Sequence, residues 1–232
     1  MMINPLDLYA RFEPMIPFEK EIDCLHRLFL SKLEALNAKN VLDVGCGSGR
    51  FLTRLNERNI AAKGIDLSGE MIAKAKVKGA NAQKIDLKDE TGSYDALTAV
   101  FDVINYLKSD ELIDFFALAL DRLNPNGAFI FDVNSRFGFR IAKGDLILEK
   151  EGRLAFIHSD FTDEKLFSRF CLFEPIEGNR YDRFDWQIEQ YYHSDKTIKK
   201  ALKKAGFSSI KKSKIYLYGD KKADKTLFVA KV

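Results

Sequence analysis

Between residues 40 and 133 short apolar runs alternate with segments of helical period, and that alternation restricts the chain to few folds. Val41-Leu42-Asp43-Val44 is a short run rich in β-branched residues, and residues 61–66, 81–86, 94–101 and 128–133 read the same way. Between these runs, Phe51, Leu52 and Leu55 share one helical face, residues 69–78 form a second helical stretch, and Leu112, Phe115, Phe116, Ala119 and Leu123 form a third. Strands separated by such segments need crossover connections, so the pattern predicts a parallel, doubly wound α/β sheet with helices on both faces. Apolar residues at 46% and charged residues at 31% supply an ordinary core. No apolar run approaches the about 18 residues that a membrane span needs. The first twenty residues hold three prolines and acidic side chains in place of a signal sequence, so a cytoplasmic protein is expected.

The flanks carry different patterns. Ile22, Leu25, Leu28, Phe29, Leu33 and Leu36 predict an amphipathic helix over 21–36. After Val133 helical period vanishes: residues 155–161, 166–174 and 181–192 alternate instead, as antiparallel strands do, and the segment is rich in aromatic residues. Three readings stay open for those aromatics: a cover over substrate, packing on the sheet, or a homodimer surface. A helix then resumes with Ser194 as N-cap, Ile198, Ala201, Leu202 and Ala205 inward and Gly206 as its stop. Residues 210–217 and 226–232, joined across Gly219-Asp220, predict a closing antiparallel hairpin. The expected organisation is an N-terminal helical segment (1–39), a core of seven mostly parallel strands (40–134 and 194–232), and an antiparallel β insertion (135–193).

Gly45, Gly47 and Gly49 follow the first strand and open a helix, where backbone can approach a ligand that a Cβ would repel. The pattern is GxGxG, and Arg50 stands where the dinucleotide fingerprint has its third glycine, which disfavours NAD. Asp43, two residues before Gly45, would repel a pyrophosphate but suits the ammonium of an amino-acid-bearing cofactor. Cys24, Cys46 and Cys171 are too scattered for a disulfide framework or CxxC chemistry, and His26, His158 and His193 form no ligand-spaced pair, so no metal site is expected.

The glycine segment resembles the first motif of the class I S-adenosylmethionine-dependent methyltransferases, and four further stretches resemble later motifs in order. Gly64-Ile65-Asp66-Leu67-Ser68, running on to Met71, is similar to the second, which implies that Asp66 chelates ribose hydroxyls. Ile85-Asp86-Leu87 is similar to the third, implying that Asp86 accepts from the adenine amino group while Leu87 packs on the ring. Tyr94-Asp95 through Phe101-Asp102 and Asn105-Tyr106-Leu107 resembles the fourth, beside the methyl group. Leu123-Asn124-Pro125-Asn126-Gly127 and the strand after it resemble the fifth. The resemblance implies S-adenosyl-L-methionine as cofactor, held by Asp43, Gly45, Cys46, Gly47, Gly49, Asp66, Leu67, Met71, Asp86, Leu87 and Phe101.

An antiparallel insert after the fifth strand is similar to the small-molecule branch, where it covers the acceptor and an N-terminal lid closes over it. Phe12 and Phe18 stand where that branch often has tyrosine, and Ile188, Glu189, Gln190 and Tyr191 stand where relatives can place histidine or arginine. The implied acceptor walls are Phe18, Asn105, Tyr106, Asn134, Arg136, Phe184 and Trp186. No catalytic residue is assigned, because a sulfonium donor asks mainly for alignment. The expected reaction is methyl transfer to nitrogen or oxygen of a small molecule.

Nucleic acid is the main rival. The net charge of +3 conceals twelve lysines against three aspartates after Ser194, a net of +9, which leaves −6 for the rest. Yet Lys196, Lys199, Lys200, Lys203 and Lys204 fall opposite the apolar stripe of their helix, as on a solvated face. The fourth strand also runs into Phe101-Asp102-Val103-Ile104 rather than the Asn/Asp-Pro-Pro-Tyr of base-amino methyltransferases. The third alternative, a non-catalytic S-adenosylmethionine-binding module, keeps the same cofactor residues.

Overall fold

A computed structural model describes residues 4–219 and 221–232. Asn4 starts the first helix, α1 (Pro5–Phe12): its side chain accepts from the Leu6 N–H at 3.0 Å, and Pro5 sits where its missing N–H costs nothing. α2 (Glu19–Ala35) turns Leu25, His26, Phe29, Leu30 and Leu33 inward. The alternating region then forms β1 (Asn40–Val44), α3 (Arg50–Asn56), β2 (Ala61–Asp66), α4 (Gly69–Val77), β3 (Ala82–Lys84), β4 (Tyr94–Ala99), α5 (Leu112–Asp121) and β5 (Leu123–Asn134). After α6 (Arg136–Ile141) come β6 (Gly144–Lys150), β7 (Arg153–Thr162), β8 (Lys165–Pro175) and β9 (Tyr181–Tyr191). α7 (Asp195–Ala205), β10 (Ser209–Ile215) and β11 (Lys225–Lys231) complete the chain.

The main sheet has the order β10-β11-β5-β4-β1-β2-β3, with β1 to β5 mutually parallel and β11 antiparallel to both β5 and β10. One face is covered by α2, α3 and α4 around Phe29, Leu33, Leu52 and Ile72; the other by α5 and α7 around Phe116, Phe129 and Leu202. This is the doubly wound sheet with a C-terminal antiparallel hairpin that the alternation predicts. The insertion forms a separate antiparallel sheet, β6-β7-β8-β9. Its inner face packs on α1: Leu8, Phe12, Leu172, Trp186 and Ile188 make a third core, with the Phe170 and Trp186 rings stacked at 4.9 Å.

Several boundaries depart from the sequence reading. β3 stops at Lys84 because Asp86 turns to cap a short 3-10 helix, its side chain accepting from the Lys88 N–H. β4 stops at Ala99 because Phe101 and Asp102 adopt φ of 64° and 52°, which no strand accommodates. Leu123 opens β5 instead of closing α5, pairing with Tyr94 ahead of a register shift that absorbs the turn at Asn126. The insertion also holds a helix, α6, where none was expected; six residues are too few to show a period, and Ser135 caps it by accepting from the Gly138 N–H at 3.0 Å. β6 escaped notice because it is an edge strand exposed along nearly its whole length, with no burial to impose alternation.

Candidate active site

β1 lies between β2 and β4, so the connections on its two sides leave in opposite directions and open a crevice beyond the carboxyl ends of these strands. A cavity of about 1040 Å³ fills that crevice, large enough for a nucleoside-sized cofactor with a small acceptor beside it. Gly47 adopts φ of +51°, and a Cβ there would meet no atom nearer than the Met71 sulfur at 4.0 Å, so the loop leaves an open cradle on the cavity side. Gly49 serves a different purpose. A Cβ there would lie 2.9 Å from that of Ala75, so this glycine lets α3 approach α4 and does not line the cavity.

Two carboxylates flank the loop, Asp43 buried and Asp66 partly buried. Asp43 accepts from the Thr98 hydroxyl at 2.6 Å; burial pushes its carboxyl up to about 7, helped by the nearby charge of Asp66 and opposed by the Thr98 bond. Asp66 accepts from the Gly47 N–H at 2.9 Å with one oxygen and from the Ser68 N–H at 2.8 Å with the other, and burial raises it too. Each oxygen keeps a second lone-pair site, so Asp66 can shape the loop and still accept from a ligand hydroxyl.

The end of β4 is held under strain. Asp132, fully buried on β5, accepts from the Phe101 N–H at 2.7 Å and the Asp102 N–H at 3.1 Å, pinning two non-glycine residues in the left-handed region. Lys225 of β11 donates to Asp132 at 2.8 Å and to Asp102 at 2.5 Å, and Gln190 of β9 donates to the other Asp102 oxygen. Burial alone would draw the Lys225 ammonium down, but the two facing carboxylates more than reverse this and hold it protonated. Asp102 therefore joins the core sheet, the C-terminal hairpin and the insertion at the cavity wall.

The N-terminal segment closes over the same loops. Glu13 accepts from the Ser48 hydroxyl and Asp7 from the Ser68 hydroxyl, each at 2.6 Å, and Lys74 donates to the Ala10 carbonyl. Phe18 meets Tyr218 edge-on at 5.9 Å, bridging this segment to the loop before β11.

Of the residues expected at the cofactor, Asp43, Gly45, Cys46, Gly47, Asp66, Leu67, Met71, Asp86, Leu87 and Phe101 line the cavity. Of the expected acceptor walls, Phe18, Tyr106 and Asn134 do so. The other four lie elsewhere. Asn105 is fully buried, donating to the Tyr191 carbonyl and accepting from the Asn134 N–H, so its amide is spent joining β5 to the insertion. Trp186 is enclosed between Phe12 and Phe170, Phe184 lies beneath the Arg11 guanidinium, and Arg136 pairs with Glu164 over Tyr192. Sequence reasoning missed Tyr9, His26, Asp102, Tyr218 and Lys225 as cavity residues. Only Asp102 carried a signal, its adjacency to Phe101 in the fourth motif; Lys225 was submerged among the C-terminal lysines. Among the described residues no group of three or more His, Cys, Asp or Glu could hold a metal ion, and no helix is long and apolar enough to cross a membrane.

These residues fit S-adenosyl-L-methionine. Gly47 leaves a cradle, Asp43 offers a carboxylate for an ammonium, and His26 keeps a buried ring nitrogen without a partner among the described residues. The sequence profile of a methyltransferase domain matches residues 18–212. The chain belongs to this methyltransferase family. The Bacillus subtilis (strain 168) protein YqeM, provisionally named a methyltransferase, is 31% identical over 179 residues, which cover 72% of each chain. Among solved structures, an S-adenosylmethionine-dependent methyltransferase from Clostridium acetobutylicum ATCC 824 superposes with a TM-score of 0.79 at 22% identity, covering 99% of both chains. The sugar N-methyltransferase KedS8 from Streptoalloteichus sp. ATCC 53650 superposes with a TM-score of 0.74 at 21% identity, covering 100% of this chain and 94% of the other.

Proposed function

We propose that this methyltransferase moves the methyl group of S-adenosyl-L-methionine to the nitrogen of a small amine, with residues 4–18 as a lid and the insertion as a cover over the acceptor. The observation that carries this reading is the charge cluster at the end of β4. Asp102 and Lys225 line the cavity together with Tyr9, Phe18, Tyr106 and Tyr218, and Asp132, fully buried behind them, brings the cluster to one net negative charge. A wall of that sign and composition favours a cationic or cation-forming group. The name of KedS8 as a sugar N-methyltransferase supports the same class of acceptor.

When bound, the cofactor supplies a methyl group on a positively charged sulfur, with a neutral thioether as leaving group. The chain's residues then have two tasks. The Gly45–Gly49 loop, Asp43 and Asp66 hold the donor while the aromatic walls hold the acceptor in line, an alignment that can be worth roughly 7–11 kcal/mol. Asp102 faces the region where nitrogen gains the positive charge that sulfur loses, and a fixed carboxylate favours that transfer of charge. The lid bonds from Glu13 and Asp7 exclude water.

The test is transfer of labelled methyl from S-adenosyl-L-methionine into pools of small amines, small alcohols and total RNA. Labelling of amines is expected; preferential labelling of RNA or of alcohols overturns the proposal. Asp102→Asn is expected to lower kcat by roughly 10-fold or more while S-adenosylhomocysteine affinity stays within about twofold.

A further inference from the structure

His26 lies on the buried face of α2 in a row with Leu25, Phe29, Leu30 and Leu33, at a position where an apolar ring would satisfy every neighbour. It is 4% exposed. Its ring packs against Phe51 at 5.0 Å and Phe101 at 5.9 Å, and its Nδ1 has no hydrogen-bond partner among the described residues. A buried polar atom left unpaired costs about 1–3 kcal/mol, a penalty that phenylalanine would avoid. None of the contacts among the described residues accounts for an imidazole at this point. Yet the residue lines the cofactor cavity, between the start of α3 and the end of β4.

The surroundings select the ligand group. Arg50 lines the same cavity, and Arg54 follows on α3; both are tied back to α2, by Glu19 and Asp23. Burial, reinforced by these two arginines, draws the imidazole down to about 4, so at neutral pH it is an uncharged ring with one N–H to donate. A neutral donor beside guanidinium groups suits an anion. The carboxylates of Asp43 and Asp66, in contrast, suit a cation. The cavity therefore presents complementary partners to the two ends of an amino-acid zwitterion.

We propose that His26, backed by Arg50, receives the carboxylate of the cofactor's methionine tail, while Asp43 receives its ammonium. His26 is then a specificity residue that separates S-adenosyl compounds bearing the amino-acid tail from adenosine thioethers lacking it. The inference rests on the cofactor reading above, and the test separates the two.

Equilibrium binding to the full chain is measured with S-adenosylhomocysteine and with methylthioadenosine, which shares the adenosine and thioether but has no amino-acid tail. The variant is His26→Phe, which keeps the ring packing against Phe51 and Phe101. S-adenosylhomocysteine affinity is expected to fall about tenfold, the worth of one hydrogen bond to a charged group, with methylthioadenosine unchanged within about twofold. The melting temperature of the ligand-free variant should hold or rise, since an orphaned polar atom has been removed. Equal losses for both compounds, or no loss for S-adenosylhomocysteine, would overturn the assignment. Should His26→Phe fold poorly, His26→Gln, which retains a donor, carries the test: it must keep more affinity for S-adenosylhomocysteine than His26→Leu, and equality between them rejects the proposal. Wild-type chain that binds neither compound rejects the cofactor reading itself; binding both equally rejects only the tail site.

Discussion

Asp43 shows how burial prepares a residue for its ligand. Its carboxyl, ordinarily near 3.8, is pushed up to about 7 by burial, so near neutrality it stands between acid and carboxylate. An ammonium favours the carboxylate, and binding therefore expels a proton wherever the free protein still holds one. S-adenosylhomocysteine affinity should rise by up to about tenfold per pH unit between about pH 5 and 7, then level off. His26, held near 4, is already neutral over that range and does not disturb the profile. Asp43→Asn should flatten the curve, as calorimetry across the range would show; a slope unchanged in the variant would place the proton elsewhere. Stability carries the opposite sign. The folded acid keeps its proton to higher pH than the unfolded chain, so its contribution is complete below about pH 4 and is lost as pH rises towards about 7. Urea unfolding of Asp43→Asn should accordingly exceed the native protein in stability above pH 7 and converge with it in acid, since the Thr98 hydroxyl can still donate to the amide oxygen.

At the scale of elements, the strained turn after β4 is held by side chains from β5 and β11, and the consequence is measurable. Lys225→Met leaves the buried Asp132 carboxylate and its neighbour Asp102 without their shared cation. The variant should lose roughly 3–5 kcal/mol of unfolding free energy, and adding Asp132→Asn should recover part of it. If the single variant is as stable as the native chain, the cluster does not hold the turn. This tie also marks the limit of what the sequence made legible. The strand–helix alternation and the Gly45–Gly49 loop could be read because local backbone geometry demands particular residue types there. Asp43 followed from its place two residues before Gly45, and Asp66 and Asp86 from the resemblance of their stretches to the family's second and third motifs. Lys225, Gln190 and His26 could not be read, since what distinguishes them is the partner or vacancy they meet across the fold: one lysine among twelve, one histidine in an apolar stripe. Asn105, Phe184 and Trp186 had the right chemistry for a wall, but packing between the insertion and α1, or between the insertion and β5, claimed them first. α6 and β6 were too short and too exposed for burial to write a period into them.

The charge of the whole molecule is divided as the sequence suggests, with an acidic body and a basic C-terminal segment, and the structure shows where the basic part lies. Lys196, Lys200, Lys203 and Lys204 stand exposed on the outer face of α7, while Ile198, Ala201 and Leu202 face the core. Lys211, Lys212 and Lys214 are exposed on β10, the edge strand of the sheet. Among this segment's lysines only Lys225 lines the cavity, and both its ion-pair partners are carboxylates. A polyanion tracked by the lysines of α7 and β10 would also have to bring its acceptor atom to a wall carrying Asp102, Asp43 and Asp66, which repel phosphate. The basic face is therefore separate in chemistry from the catalytic cavity, and salt discriminates between the two. A substrate held through six or more phosphates loses about 10³-fold or more in affinity between roughly 50 and 200 mM salt. A small amine met by one net negative charge inside a cavity should change kcat/KM by only about two- to threefold over the same range, because a largely enclosed site is weakly screened. Total RNA added to that assay should not compete. Steep salt dependence together with competition by RNA would transfer the acceptor from the cavity's chemistry to the lysine face.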